Sequence, residues 1–146
     1  MEMNGVIMLV EDSEDDREMM RFAFRKAGVE NPVCELHSGD EAIAYLSGHG
    51  QYVDRERWPL PCIIITDLKM PRMNGFDLLQ WMRERPEFDP IPRIVDSTSS
   101  REDDRKRAGD LGACAYFQKP LQLDHLVELV RHLDATWIAK HCPMMD

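Results

Sequence analysis

The sequence predicts an α/β domain, a parallel β-sheet with helices packed on both faces. Two observations carry that expectation. Short apolar runs alternate along the chain with stretches whose apolar residues recur every three or four positions, and Gly, Pro, Asn and Asp punctuate the changes. The most apolar run lies within CIIITDLKMPRMNG at residues 62–75 and is β-branched without alternation, which suits a strand covered on both sides.

The elements follow in order. Residues 5–10 (GVIMLV) read as the first strand, ended by Glu11-Asp12-Ser13. Met19, Met20, Ala23, Phe24 and Ala27 then recur at helical spacing, with Gly28 as a C-terminal stop. Residues 33–37 (VCELH) alternate weakly and read as a peripheral strand. Residues 38–46 (SGDEAIAYL) open with a capping serine and first-turn acids, the signature of a helix start. Residues 47–61 show no periodicity and are expected to form an extended loop, longer than the usual connection of about 4–6 residues. After the third strand, residues 76–85 form an amphipathic helix ended by Pro86, and residues 92–97 (PRIVDS) a fourth strand. Residues 101–111 are a charged helix closed by Gly112, and residues 114–118 (CAYFQ) a fifth strand. A last helix is expected over residues 121–139, with a short extension at 136–146. Five strands alternating with helices predict right-handed crossovers and a flavodoxin-like doubly wound sheet of order 2-1-3-4-5.

Bulk properties narrow the function. At 146 residues the chain is expected to be a single domain, 1–146, large enough to bury a core. Its net charge of -9 argues against a nucleic-acid partner, which usually calls for a basic surface. No apolar run approaches the roughly 18 residues of a membrane span, and the N-terminus lacks the basic region of a signal peptide. Cys34, Cys62, Cys114 and Cys142 show no metal-like spacing, and the first three are expected to be buried reduced thiols. Together these features predict a cytoplasmic protein with neither a nucleic-acid nor a membrane partner.

The chemistry is expected at Asp67, an acid at the carboxyl end of a buried strand, where open α/β sheets keep their sites. Strands one and three are neighbours in the expected topology, so Glu11, Asp12 and Asp67 come together. Two unit charges about 4 Å apart repel by about 4 kcal/mol at an effective dielectric near 20. Such a cluster calls for a cation, a raised pKa or an anion-repelling role, and a hard divalent ion such as Mg²⁺ (or Mn²⁺) matches its oxygen ligands. That ion would also neutralise a phosphoryl group arriving at Asp67. Ser97 and Lys119 close the fourth and fifth strands, where a hydroxyl and an ammonium can meet phosphoryl oxygens.

Taken singly, each residue has a plainer reading. Glu11 and Asp12 are acids of the kind favoured at a helix N-terminus, Asp67 a turn former, Lys119 a solvated charge and Tyr116 a packed aromatic. Their order and spacing together resemble the receiver domain of two-component response regulators. The matching motifs are LVEDSEDD, IITDLKMPRMNG, a hydroxyl residue ending the fourth strand, and YFQKP, over roughly residues 6–133. The resemblance implies that Asp67 is the phosphoacceptor and that a sensor histidine kinase supplies the phosphoryl group. It also implies Asp12 as a direct metal ligand, Glu11 as an acid acting mainly through water, and Lys69 as donor of a main-chain carbonyl to the metal. Ser97 and Lys119 would bind phosphoryl oxygens, and Ser97 with Tyr116 would form the switch. Two residues depart from the family pattern: Asp96 replaces an apolar residue inside the fourth strand, and Lys69 replaces the polar residue common after the acceptor. The long loop and the Trp-bearing C-terminus resemble regulators partnered with bacterial phytochrome kinases. In such a regulator Trp137 and Ile138 are candidate contacts of a homodimer, and signalling uses the side built from the fourth strand, fourth helix and fifth strand. A phosphorylation-independent interaction module and a Mg²⁺-dependent hydrolase remain as alternative readings. The first separates from the phosphoacceptor by its indifference to beryllofluoride, the second by turnover of phosphate esters.

Overall fold

Ile63, Ile64 and Ile65 are wholly buried, as a run of three branched residues requires when both faces of its strand are covered. They belong to β3 (Ile63–Thr66), the middle strand of a five-stranded sheet. The computed structural model describes residues 5–119. Around β3 lie β1 (Ile7–Val10), β2 (Val33–Leu36), β4 (Arg93–Ser97) and β5 (Ala115–Gln118). Their order is β2-β1-β3-β4-β5 and every pairing is parallel, as expected. The helices between them are α1 (Glu14–Lys26), α2 (Gly39–Ser47), α3 (Gly75–Arg83) and α4 (Glu102–Asp110). The helix expected over 121–139, the extension at 136–146, and Trp137 and Ile138 lie outside the described residues.

Strand alternation splits the core into two faces. Ile7, Leu9, Ile63, Ile65 and Ile94 pack against Met20, Ala23 and Phe24 of α1. Met8, Val10 and Ile64 pack on the opposite face against α2 and α3, through Ala42, Tyr45, Leu46, Leu78 and Met82. The helix starts expected from sequence have physical caps. Ser13 and Ser38 accept the N–H of Asp16 and Glu41, and Asn74 and Asp77 form a reciprocal capping box at the head of α3.

The expected loop at 47–61 is more ordered than its composition suggests. Ser47 still belongs to α2, and Gly50–Tyr52 make a 3-10 turn that buries Tyr52 against Tyr45, with ring centroids 5.0 Å apart. The Arg55 guanidinium donates to the carbonyls of Tyr45 (2.8 Å), Leu46 (2.7 Å) and Trp58 (3.2 Å). It thereby ties the loop to the carbonyl end of α2, sharing the Tyr45 carbonyl with the Gly48 N–H and taking up the Leu46 carbonyl. Periodicity does not disclose such a loop because its order comes from cross-loop contacts. The cysteines bring one correction. Cys34 and Cys62 are free thiols, but Cys114 is disulfide-bonded. Linear spacing carries no record of which sulfurs the folded chain brings together.

β4 is buried along its full length although it carries two charged residues. Arg93 donates to the Phe88 carbonyl at 2.9 Å, whereas Asp96 Oδ1 has no hydrogen-bond partner. The two lie three residues apart and so face opposite sides of the sheet, as the sequence implies. Burial is the main influence on Asp96. It pushes the carboxyl up from 3.8 to about 6, opposed by the Lys119 ammonium and reinforced by Asp67 and Asp16.

Gly75 opens α3 directly beneath the loop that follows β3. A Cβ there would overlap the Asp67 carbonyl oxygen and stand 2.9 Å from Leu68 Cα, both backbone atoms that cannot swing aside. Gly75→Ala is therefore expected to lower stability by about 1–3 kcal/mol, the usual cost of overpacking, measured as a lower urea midpoint. For Asp96 the folded pKa lies above the unfolded one, so the native state holds its proton to higher pH. The penalty is absent below about pH 3.8 and grows to order 3 kcal/mol by about pH 6. Asp96→Asn is expected to flatten this part of the fall in stability with rising pH, as read by urea unfolding between pH 4 and 7.

Candidate functional site

Register determines which carboxylates meet. Val10 pairs with Thr66 and Thr66 with Val95, so one step further along the strands Glu11, Asp67 and Asp96 stand level. Asp96 pairs with Phe117, and Lys119 follows two residues later on the same side of β5. Parallel neighbours at one level share a face. Glu11, Asp67, Asp96 and Lys119 therefore project from the α1 face of the sheet, at its carboxyl edge. All four are at least nine-tenths buried.

Lys119 spans this row. Its Nζ pairs with Glu11 Oε1, with Asp16 Oδ2 at 2.9 Å and with Asp67 Oδ2 at 3.6 Å. Burial alone would lower the Lys119 pKa, but hydrogen bonds to Glu11 and Asp16, with the charges of Asp67 and Asp96, more than reverse this. Lys119 is a permanent cation here. Burial raises the Glu11 carboxyl from 4.5 to about 7; the Lys119 hydrogen bond opposes this and the Asp67 charge reinforces it. In the pair the proton resides on Lys119, the stronger base.

Asp67 is held by its own loop. Its Oδ1 accepts from Leu68 N–H at 2.7 Å and Lys69 N–H at 3.3 Å, while its backbone N–H donates to the Val10 carbonyl. These bonds leave the other carboxylate oxygen, Oδ2, toward Lys119. Carboxylate oxygens of Glu11, Asp12 and Asp67 all lie within 4.8 Å of one another, with Asp12 on the exposed side. An all-oxygen set with one solvent-facing member suits a hard divalent cation that keeps several waters.

The remaining expected residues take varied places. Lys69 has its side chain in solvent, and its N–H is the group engaged with Asp67. Ser97 is fully buried at the end of β4, where its Oγ accepts from Ser99 N–H at 3.2 Å. Tyr116 donates its hydroxyl to the Ser99 carbonyl at 2.9 Å, with the Arg105 guanidinium 4.6 Å from its ring centroid. Ser97 and Tyr116 thus meet through one residue, Ser99, in the loop between β4 and α4. Trp137 and Ile138 lie outside the described residues.

Two contributors escaped the sequence reading. Asp16 shares Lys119 but reads as an ordinary first-turn acid, and only its one-turn offset from Asp12 hints at the site. Arg17 is buried and donates to the Glu11 carbonyl at 2.6 Å and to Glu14 at 2.5 Å, fixing the backbone that carries the acids.

Comparison with known proteins agrees with this geometry. The family model "Response regulator receiver domain" matches residues 7–131. The chain is 30% identical over 133 residues to response regulator Rcp1 of Synechocystis, covering 91% of this chain and 88% of that one. The crystal structure of the phosphorylated cyanobacterial phytochrome response regulator RcpA superposes with a TM-score of 0.80 at 30% identity, covering 94% and 96% of the two chains. The Mn²⁺-bound form of Rcp1 gives a TM-score of 0.76 at 30% identity, covering 90% of this chain and 93% of the other. With a family model spanning most of its length and the acid row set at the carboxyl edge of a 2-1-3-4-5 sheet, the chain belongs to the response regulator receiver domain family.

Proposed function

We propose that this receiver domain is a phosphorylation-gated signalling module in which Asp67 accepts a phosphoryl group from the phosphohistidine of a sensor histidine kinase. The observation that carries this reading is the anchored Asp67 carboxylate, with Oδ1 tied to backbone N–H groups and Oδ2 3.6 Å from Lys119. A carboxylate oxygen forms the new bond to phosphorus as the phosphorus–nitrogen bond breaks, and the departing imidazole nitrogen keeps the electron pair and takes a proton. Fixing Oδ1 restricts the carboxylate to one orientation, which removes rotational freedom from the transfer. Lys119 already lies within reach and supplies positive charge to the phosphoryl oxygens.

Glu11, Asp12 and Asp67 would hold Mg²⁺ or Mn²⁺, with the Lys69 main-chain carbonyl as a further ligand. Bound there, the ion offsets the negative charge that gathers on the phosphoryl group. Ser97 offers its hydroxyl to a phosphoryl oxygen. Its engagement would withdraw it from Ser99 N–H and disturb the Ser99 carbonyl that anchors Tyr116. That route connects the acceptor to the surface of β4, α4 and β5. Hydrolysis of the acyl phosphate would return the domain to rest, as in a signalling protein rather than a dedicated enzyme.

The relatives named for phytochrome signalling support a bacteriophytochrome-type kinase as the donor, and a cytoplasmic location belongs to the same reading. A homodimer through Trp137 and Ile138 belongs to the same proposal. It predicts that light scattering gives twice the chain mass, and that Trp137→Ala with Ile138→Ala halves it.

Beryllofluoride with Mg²⁺ is expected to bind the wild-type protein with one-to-one stoichiometry by calorimetry. Asp67→Asn should abolish binding, and an Asp67→Asn protein that still binds would defeat the acceptor reading. Asp12→Ala is expected to weaken Mg²⁺ binding at least about tenfold, the scale on which a lost charged ligand acts, with little change in thermal stability. Chelation with EDTA should stop labelling by acetyl phosphate, and added Mn²⁺ should restore it.

A further inference from the structure

Asp96 is the member of the buried row that the proposed phosphoryl transfer does not use. It lies in β4, between the strand that ends at Asp67 and the strand that ends at Lys119. Its Oδ1 has no hydrogen-bond donor, and the residue is 8% exposed. Such a group normally finds a partner or is replaced by an apolar residue. The apolar neighbour on its face, Ile94, belongs to one buried cluster with Met20 of α1, and one turn before Met20 is Asp16. The groups facing Asp96 are thus Lys119, Asp67 and Asp16, the last two of its own sign.

Lys119 reaches Asp67 and Glu11 from β5 by crossing β4, the strand that holds Asp96. Resting on the reading of Asp67 as phosphoacceptor, we propose that Asp96 is an electrostatic brake on that site. Its buried carboxylate competes for the Lys119 ammonium and repels the phosphoryl anion, so the phosphorylated state is held less tightly than the remaining residues would allow. Asp96 touches neither the phosphoryl group nor the metal in this scheme; it is a positioning residue that acts through Lys119 and through charge at short range. An apolar residue at this point in the strand would lift the brake. Low local polarity strengthens it, since a buried charge is screened far less than an exposed one.

The test is calorimetric titration of the whole protein with beryllofluoride at saturating Mg²⁺, comparing wild type with Asp96→Asn and Asp96→Val. Asn keeps the shape and removes the charge; Val supplies the apolar side chain and serves if Asn fails to fold. Both variants are expected to bind beryllofluoride about tenfold more tightly, equivalent to about 1.4 kcal/mol. Mg²⁺ affinity without beryllofluoride should stay the same or fall, because removing a negative charge cannot favour a cation. A purely structural effect would move both affinities in one direction, and that outcome overturns the inference. Equal beryllofluoride affinities in wild type and variants also overturn it and leave Asp67 as acceptor intact. Absence of binding in the wild type defeats the acceptor reading and the brake with it.

Discussion

The structure depends on one ammonium group placed among carboxylates. Lys119 contacts Glu11, Asp16 and Asp67, which come from the end of β1, the first turn of α1 and the end of β3. Without it, the buried carboxylates of Glu11 and Asp67 would face each other and the half-exposed Asp16 with no ammonium between them, at a cost of order several kcal/mol of repulsion. The pair is therefore structural at rest and available for work. A ligand that brings negative charge to Asp67 can take Lys119 over, and a divalent cation can take over the acids it leaves. Domain stability and the proposed ligand response would thus run through the same few atoms.

The second constraint is backbone packing under Asp67. The Asp67 loop can hold its carboxylate by two main-chain N–H groups because α3 begins immediately below it. That approach requires a residue with no side chain at Gly75, and the capping box of Asn74 and Asp77 sets the helix there. From the other side, Arg17 grips the Glu11 carbonyl and an ion-pair network through Glu14, Arg21 and Glu35 ties α1 to β2. The acids are thus displayed from a rigid frame, with Asp12 left at the solvent side where a cation would enter.

Much of this is legible in the residues. Apolar runs alternating with helical periodicity led to the strand order, because parallel crossovers leave few topologies open. Glu11, Asp12, Asp67 and Lys119 were identifiable since each sits one or two residues past a strand, where side chains emerge at the sheet edge. Asp16 and Arg17 were not, because their roles depend on where the first turn of α1 lands against β5 and β1. The loop at 47–61 was similarly opaque. Its order resides in Arg55 bridging three carbonyls and in the tilted and edge-to-face ring contacts of Tyr45, Tyr52 and Trp58, contacts that leave no periodic trace. The disulfide at Cys114 is of the same kind.

By itself the sequence determined the sheet, its order, the position of Asp67 at its carboxyl edge and the family of the domain. These follow from short-range rules: strand period, turn residues, capping residues and motif order. Tertiary structure decided which charges share the buried edge. Asp96 is an unusual residue when read along the chain. In the fold it is level with Asp67 and under the reach of Lys119, because parallel register places residues from distant segments on one face. The energy of such a charge depends on neighbours and on exclusion of water, and both exist only once β4 and β5 have paired.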